Sequence, residues 1–279
     1  MKTSTQLKAL LRNLSNKSNI EAEILLRNFM LERFLERVSL SNYKHNFILK
    51  GGMLISAIVG IDTRTTMDLD ATLKAQTLSE TEITTIITEI LQVPIDDEVE
   101  FTFRKIEQIH DEADYPGYRI TMGAAFDKTR QILKIDITTG DFITPKEIEY
   151  SFKLMLEDRV IQIMAYNIET VLSEKLEAII TRGVANTRMR DFYDIYILTK
   201  TQKFDMITFK KAFRRTVNVR QTIDQTIGAE KVIGHIENDL TMTGLWKRYQ
   251  KQYSYAGDIS WDMVVESVRN LITNLTPHT

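Results

Sequence analysis

The chain contains no cysteine, which excludes disulfides, thiolate metal sites and cysteine catalysis and fits a reducing cytosol. Its four histidines, His45, His110, His235 and His278, are scattered, so a zinc site of the H-E-x-x-H kind is absent. Only four prolines occur and there is no low-complexity tract, which leaves an ordinary globular chain. No apolar run approaches the roughly 18 to 20 residues that a membrane span needs. The opening Met1-Lys2-Thr3-Ser4-Thr5 leads into a mixed segment rather than a signal-peptide apolar region. A cytoplasmic protein with no membrane partner is expected. Three common signatures are also missing: the G-x-x-x-x-G-K-[ST] loop, the G-x-G-x-x-G turn and the G-x-S-x-G elbow.

What is present is a chain of 279 residues, 43% apolar and 27% charged, enough for two domains or one elaborated domain. Its net charge of −2 is unevenly spread. Lys200 to Lys251 holds eleven basic and five acidic residues, a local net of +6. Such a segment is either a solvated helical surface or a basic flank for a polyanionic substrate.

Residues 1–40 read as helical, with Ser18-Asn19-Ile20-Glu21 as a capping box. Phe47-Ile48-Leu49 reads as a strand ending at a glycine pair, and Met53 to Val59 as a short helix stopped by Gly60. Asp68 to Leu73 reads as a strand and Leu78 to Leu91 as a helix. Three β-prone stretches follow, Glu100 to Ile109, Tyr118 to Phe126 and Ile132 to Thr138. From about Asn167 nearly every segment reads as helix. The expected fold is therefore α/β (α+β). An N-terminal domain over 1–150, with a mixed sheet and a helical lead-in over 1–40, precedes a helical domain over 151–279. The boundary falls loosely between Asp141 and Tyr166.

On a strand, residues two apart share a face, so Asp68 and Asp70 project together and repel. A divalent cation with hard oxygen preferences, Mg²⁺ or Mn²⁺, relieves that repulsion. Acid-x-acid spacing alone says little, since Glu21-x-Glu23, Glu98-x-Glu100, Glu112-x-Asp114 and Glu147-x-Glu149 share it. Asp68 and Asp70 differ in context, because Arg64-Thr65-Thr66 and the Gly51-Gly52 turn precede them. Glycines at a strand-to-helix turn admit phosphate to backbone N–H groups, although a plain tight turn explains the pair equally well. Asp136 interrupts an apolar strand, which calls for a metal or a salt bridge with Arg119 or Lys134.

Two helices carry charge on their apolar stripes. Lys175 lies among Ile168, Val171, Leu172, Leu176 and Ile179, and Asp191 aligns with Ile195 and Leu198, with Asp194 at the edge of that face. Either a buried Lys175–Asp191 pair joins two helices, or these groups face a cleft and meet a triphosphate. Trp246, Tyr249 and Tyr253 fall at helical spacing and read as core rather than base-stacking residues.

Four clusters in this order resemble the AbiEii/AbiGii-type nucleotidyltransferase toxins, a branch of the polymerase-β nucleotidyltransferase superfamily found in bacterial toxin–antitoxin and phage-defence (abortive infection) systems. They are Lys50-Gly51-Gly52 through Thr66-Met67-Asp68-Leu69-Asp70, Ile135-Asp136-Ile137-Thr138-Thr139-Gly140, Lys175-Leu176-Glu177-Ala178, and Asp191-Phe192-Tyr193-Asp194. The resemblance spans about half of the chain. It departs where many members carry Gly-Ser, which removes a hydroxyl unless Ser56 or Thr66 replaces it.

The resemblance implies NMP transfer from an NTP, with Mg²⁺ or Mn²⁺ held by Asp68, Asp70 and Asp136. Gly51, Gly52, Thr66, Lys175, Asp191 and Asp194 would bind the nucleotide. The implied acceptor is RNA, with a tRNA 3′ end leading. A cognate antitoxin encoded nearby is implied, with or without direct binding. Competing expectations are an antibiotic nucleotidyltransferase of the aminoglycoside type and a non-catalytic NTP-binding effector acting through a partner. The basic Lys200–Lys251 segment argues against a cationic drug as acceptor.

Overall fold

The computed structural model describes residues 3–74, 78–109 and 117–275. The Glu112-x-Asp114 pair, His110 and His278 lie outside the described residues. In chain order the elements are α1 (Ser4–Ser18), α2 (Ala22–Leu40), β1 (Phe47–Lys50), α3 (Gly51–Val59), β2 (Leu69–Leu73) and α4 (Glu80–Leu91). Five strands follow, β3 (Val99–Ile109), β4 (Gly117–Phe126), β5 (Thr129–Thr139), β6 (Ile148–Lys153) and β7 (Val160–Ala165). The rest is helical: α5 (Ile168–Arg182), α6 (Met189–Thr201), α7 (Met206–Val219), α8 (Ile223–Thr226), α9 (Ala229–Asn238), α10 (Leu240–Gln252) and α11 (Trp261–Leu275). The expected α/β class with a mixed sheet and a helical second part is what the chain adopts.

The expected capping box at Ser18 does not form. Asn19 adopts the left-handed conformation (φ 56°) and donates its N–H to Ser15, ending α1, while Glu21 caps α2 without a side-chain bond. An Asn at this position is a helix stop, and here that signal overrides the start signal. The capping box of this half lies instead at Ser79 and Glu82, at the start of α4.

Two compact units result. The first ends at Asp141 and resumes over Glu147–Tyr166, and the second takes Phe142–Lys146 and the described chain from Asn167. The division expected after residue 150 thus falls inside β6. The cause is β7, whose alternation buries Ile161, Ile163 and Ala165 and pairs in parallel with β1.

The seven strands run in the order β3-β4-β5-β2-β1-β7-β6, with β1–β7 and β2–β5 parallel and the other pairs antiparallel. One face of the sheet is apolar, with Phe47, Leu49, Leu69, Ala71, Ile120, Ile135, Ile137 and Ile163 at most 1% exposed. α2 packs on β5 and β7 and contributes Leu31, Phe34 and Leu35 to this core. Burial of this size supplies the main folding force, since each large apolar side chain contributes about 1.5–3 kcal/mol. α2 also buries four ionisable side chains, Glu32, Arg33, Glu36 and Arg37. Arg33 pairs with Glu157 at 2.7 Å, and Arg37 holds Asp97 at 2.7 and 2.9 Å and the Val99 carbonyl at 2.7 Å. Both oxygens of Glu32 accept from the Met155 N–H, so α2 is fastened to the β6–β7 connection by polar bonds.

In the second unit α5 packs on α6 and α7, and α11 on α6 and α9. Trp246 and Tyr249 are buried, as the core reading required, whereas Tyr253 follows the end of α10 and lies under the Arg190 guanidinium. Among the described residues no helix is long and apolar enough to cross a membrane.

Candidate active site

Strand register builds a row of charges on the polar face of the sheet. Lys50 of β1 pairs with Asp70 of β2, Asp70 with Asp136 of β5, and Asp136 with Arg119 of β4. Two carboxylates on neighbouring strands are therefore flanked by two cations. The next row along the same face places Thr72 beside Thr138.

The glycine pair fits against these acids from the start of α3. Gly51 has φ +65°, and a Cβ there would lie 2.0 Å from Asp70 Oδ2. A Cβ on Gly52 would lie 2.7 Å from Thr66 Oγ1, and the Gly52 N–H points at Asp70 Oδ2 from 3.4 Å. Glycine is thus required twice, first for backbone conformation and close approach, then for close approach alone. Thr66 Oγ1 occupies the space into which a serine at position 52 would grow, and it donates to the Asp68 carbonyl at 3.1 Å. Asn28 of α2 fixes this loop by donating to the Thr66 carbonyl at 3.0 Å. α3 begins without a side-chain cap, so its first N–H groups carry the helix's partial positive charge toward the acids.

Asp68 and Asp70 are not equivalent. β2 starts at Leu69, so Asp68 stands one residue outside the strand and is exposed, whereas Asp70 is half-buried within it. Burial pushes the Asp70 carboxyl above the usual carboxylate range and the Asp136 charge adds to this, while Lys50 pulls it back.

Asp136 is held by Arg119, whose Nε and Nη2 donate to its two oxygens at 2.8 and 2.7 Å. Of the two partners considered from sequence, Arg119 is the one that binds and Lys134 is exposed. A third residue group completes the row. The Lys50 ammonium donates to Asp141 at 2.6 Å and to Thr138 at 2.7 Å. The hydroxyls of Thr72, Thr138 and Tyr166 reach the same Asp141 oxygen, Tyr166 from 2.9 Å. Burial opposes the Asp141 charge, yet Lys50 and the hydroxyls hold its carboxyl well below the usual range.

Sequence reasoning did not single out Asp141, Thr72, Thr138 or Tyr166, nor Lys50 and Arg119 as site residues. One signal was available: Asp70-Ala71-Thr72 on β2 is repeated as Asp136-Ile137-Thr138 on β5, placing acid and hydroxyl on one face of each strand.

The fit of a divalent cation is uneven along this row. Mg²⁺ commonly rests on one or two carboxylates and completes its shell with water and substrate phosphates. Asp68 and Asp70 offer such a pair. Asp136 offers its remaining lone pairs only beside the Arg119 guanidinium, whose positive charge opposes a divalent ion. Among the described residues no group of three His, Cys, Asp or Glu side chains stands ready to hold a metal. The expected three-carboxylate set is thus a pair plus a carboxylate committed to arginine.

In the helical unit, Lys175 donates to Asp191 at 2.8 Å and lies 2.8 Å from Asp194. Asp194 is completely buried rather than at an edge. Burial favours neutral Lys175, but the two carboxylates outweigh it and hold the ammonium above its ordinary range. The ion pair anticipated from the apolar stripe therefore exists as a triad with one cation and two anions.

A family model described as "Nucleotidyl transferase AbiEii toxin, Type IV TA system" matches residues 33–267. Among solved structures, MenT4, a nucleotidyltransferase toxin from Mycobacterium tuberculosis H37Rv, is similar with TM-score 0.56 and 14% identity, over 96% of this chain and 98% of that one. JHP933 from Helicobacter pylori is similar with TM-score 0.49 and 15% identity, over 92% and 94%. No curated protein matches the sequence.

Proposed function

Because the chain belongs to the AbiEii nucleotidyl transferase toxin family of type IV toxin–antitoxin systems, we propose that it moves a nucleoside monophosphate from an NTP to an RNA acceptor in a metal-dependent reaction. The observation that carries this reading is the juxtaposition of Asp70 and Asp136 beside the uncapped start of α3. Phosphate oxygens suit the N–H groups at Gly51 and Gly52, and the Thr66 hydroxyl would join them by turning from the Asp68 carbonyl. Asp68 and Asp70 would hold Mg²⁺ or Mn²⁺, which supplies charge neutralisation for the triphosphate when bound. The Lys50 ammonium, fixed by Asp141, keeps positive charge at the Asp70 end of the row. Lys175, Asp191 and Asp194 are assigned to nucleotide binding on motif order alone.

RNA is preferred as acceptor because α7 carries Lys210, Lys211, Arg214 and Arg215 and no acid, and the family resemblance makes a tRNA 3′ end the leading candidate. A cationic antibiotic would be repelled by such a helix. Membership of a type IV system implies an antitoxin partner.

Labelled NTPs, Mg²⁺ and total cellular RNA, incubated with wild type and with Asp70→Ala, test the reading. Label entering RNA only with wild type is the expected result. Tight NTP binding without label in RNA, protein or small molecules would instead favour the non-catalytic effector. Growth arrest on expression, relieved by Asp68→Ala, is expected of the toxin.

A further inference from the structure

The geometry points to Arg119 as a phosphate-contacting residue of the site, with Asp136 serving as the side chain that positions it rather than as a metal ligand. This rests on the nucleotidyltransferase reading and assigns a role inside the same site.

Three observations carry it. First, Arg119 uses only one edge of its guanidinium on Asp136, through Nε and Nη2. Its Nη1 bonds no described residue, and its side chain is 38% exposed. The buried Arg37 makes a useful contrast, because its Nη1 and Nη2 are consumed by Asp97, the Arg33 carbonyl and the Val99 carbonyl, at 5% exposure. Arg37 is built to brace, and Arg119 is left with donors to offer.

Second, the row fixes where those donors lie. Arg119 is in register with Asp136, which is in register with Asp70, so the guanidinium stands two strands from the Asp70 carboxylate on the same face. The charges of Asp68 and Asp70 contribute, after Asp136 and despite partial burial, to holding Arg119 firmly protonated. A planar fork clamped along one edge presents its remaining N–H groups in a set direction, which suits a phosphate oxygen. Third, the Arg119 cation clamped on both Asp136 oxygens repels a divalent ion brought to the same carboxylate. Paired in this way, Asp136 stabilises the orientation of Arg119, and metal binding is left to Asp68 and Asp70.

Inorganic tripolyphosphate with Mg²⁺ is the appropriate probe, because it avoids any dependence on base preference. Its affinity, and that of Mn²⁺ alone, can be measured calorimetrically for wild type, Arg119→Lys, Asp136→Asn and the exposed control Lys105→Gln. Arg119→Lys keeps the charge but loses the fork. Both it and Asp136→Asn should weaken tripolyphosphate about ten-fold or more, with Mn²⁺ affinity within about two-fold of wild type. The double variant should lose little beyond either single one, as expected of residues acting as a unit. Circular dichroism establishes that each variant is folded. If Asp136→Asn abolishes Mn²⁺ binding, or if Arg119→Lys binds tripolyphosphate like wild type, the proposal falls. Label transfer to RNA by an unimpaired Arg119→Lys would overturn the inference and leave the transferase reading standing. Arg119-dependent tripolyphosphate binding without any transfer by wild type would do the reverse.

Discussion

Gly51 and Asp70 share a space with no room for a methyl group, since a Cβ on Gly51 would stand 2.0 Å from the Asp70 carboxylate. Gly51→Ala must therefore displace Asp70 and accept a left-handed backbone conformation, which alone costs roughly 1–2 kcal/mol. A fall in Tm together with loss of transfer is expected. Gly51→Ala/Asp70→Ala should recover part of the Tm and none of the activity. Calorimetry beside a labelled-NTP assay checks both, and a fully active Gly51→Ala would refute the packing argument.

Glu32 sets a pH dependence of stability. Burial pushes its carboxyl up from 4.5 to about 8, with Met155 N–H and Arg33 opposing and Glu157 and Glu36 adding to the rise. The folded chain thus keeps a proton that the unfolded chain releases between those values. The stabilisation from this proton is complete below about pH 4.5 and is lost as pH rises toward about 8. It amounts to several kcal/mol at most, on the order of 1.4 kcal/mol per pH unit. Glu32→Gln should flatten this decline, giving its largest Tm advantage near pH 8 or above. Equal pH profiles for wild type and Glu32→Gln would show that Glu32 is ionised throughout.

The Lys175 triad makes a prediction about stability as well as activity. Lys175→Ala leaves the fully buried Asp194 carboxylate facing the half-buried Asp191, and stranding buried charge costs about 3–5 kcal/mol. Urea denaturation should show a loss of that order, partly restored in Lys175→Ala/Asp191→Asn. Loss of transfer by Lys175→Ala is informative only beside this measurement, because the variant removes a structural pairing too.

Lys210, Lys211 and Arg214 form no ion pair among the described residues, and Arg215 lies over the Phe142 ring at 4.0 Å. If α7 holds RNA phosphates, reversing the first three charges should weaken RNA binding strongly. It should also lower the slope of log K against log salt by about 0.7–0.9 for each phosphate that is no longer neutralised. An unchanged salt slope in an anisotropy titration would remove α7 from the RNA interface.

How much of this was legible in the sequence depends on the range of the relationship. The glycine pair, Asp70, Asp136, Lys175 and Asp191 each stood out by local pattern. That Asp70 and Asp136 are neighbours follows from parallel pairing of β2 and β5, a contact that periodicity does not encode. Spacing made Asp68 and Asp70 look alike, yet the strand begins between them and buries only one. β7 has a readable alternation at Ile161, Ile163 and Ala165, but six residues between polar segments give a weak signal. Arg119 was visible as a partner for Asp136. Its spare donors could be seen only with both side chains in place.

The bond between Tyr166 and Asp141, 2.9 Å long, has a topological consequence. The chain leaves the sheet unit after Asp141, returns at Glu147 and leaves again after Tyr166. Both departures therefore start from one knot, a single carboxylate oxygen that also fixes Lys50. Within the sheet unit, the two points where the chain departs are tied to each other through that oxygen. The residues that tie them are the ones that hold a cation beside Asp70.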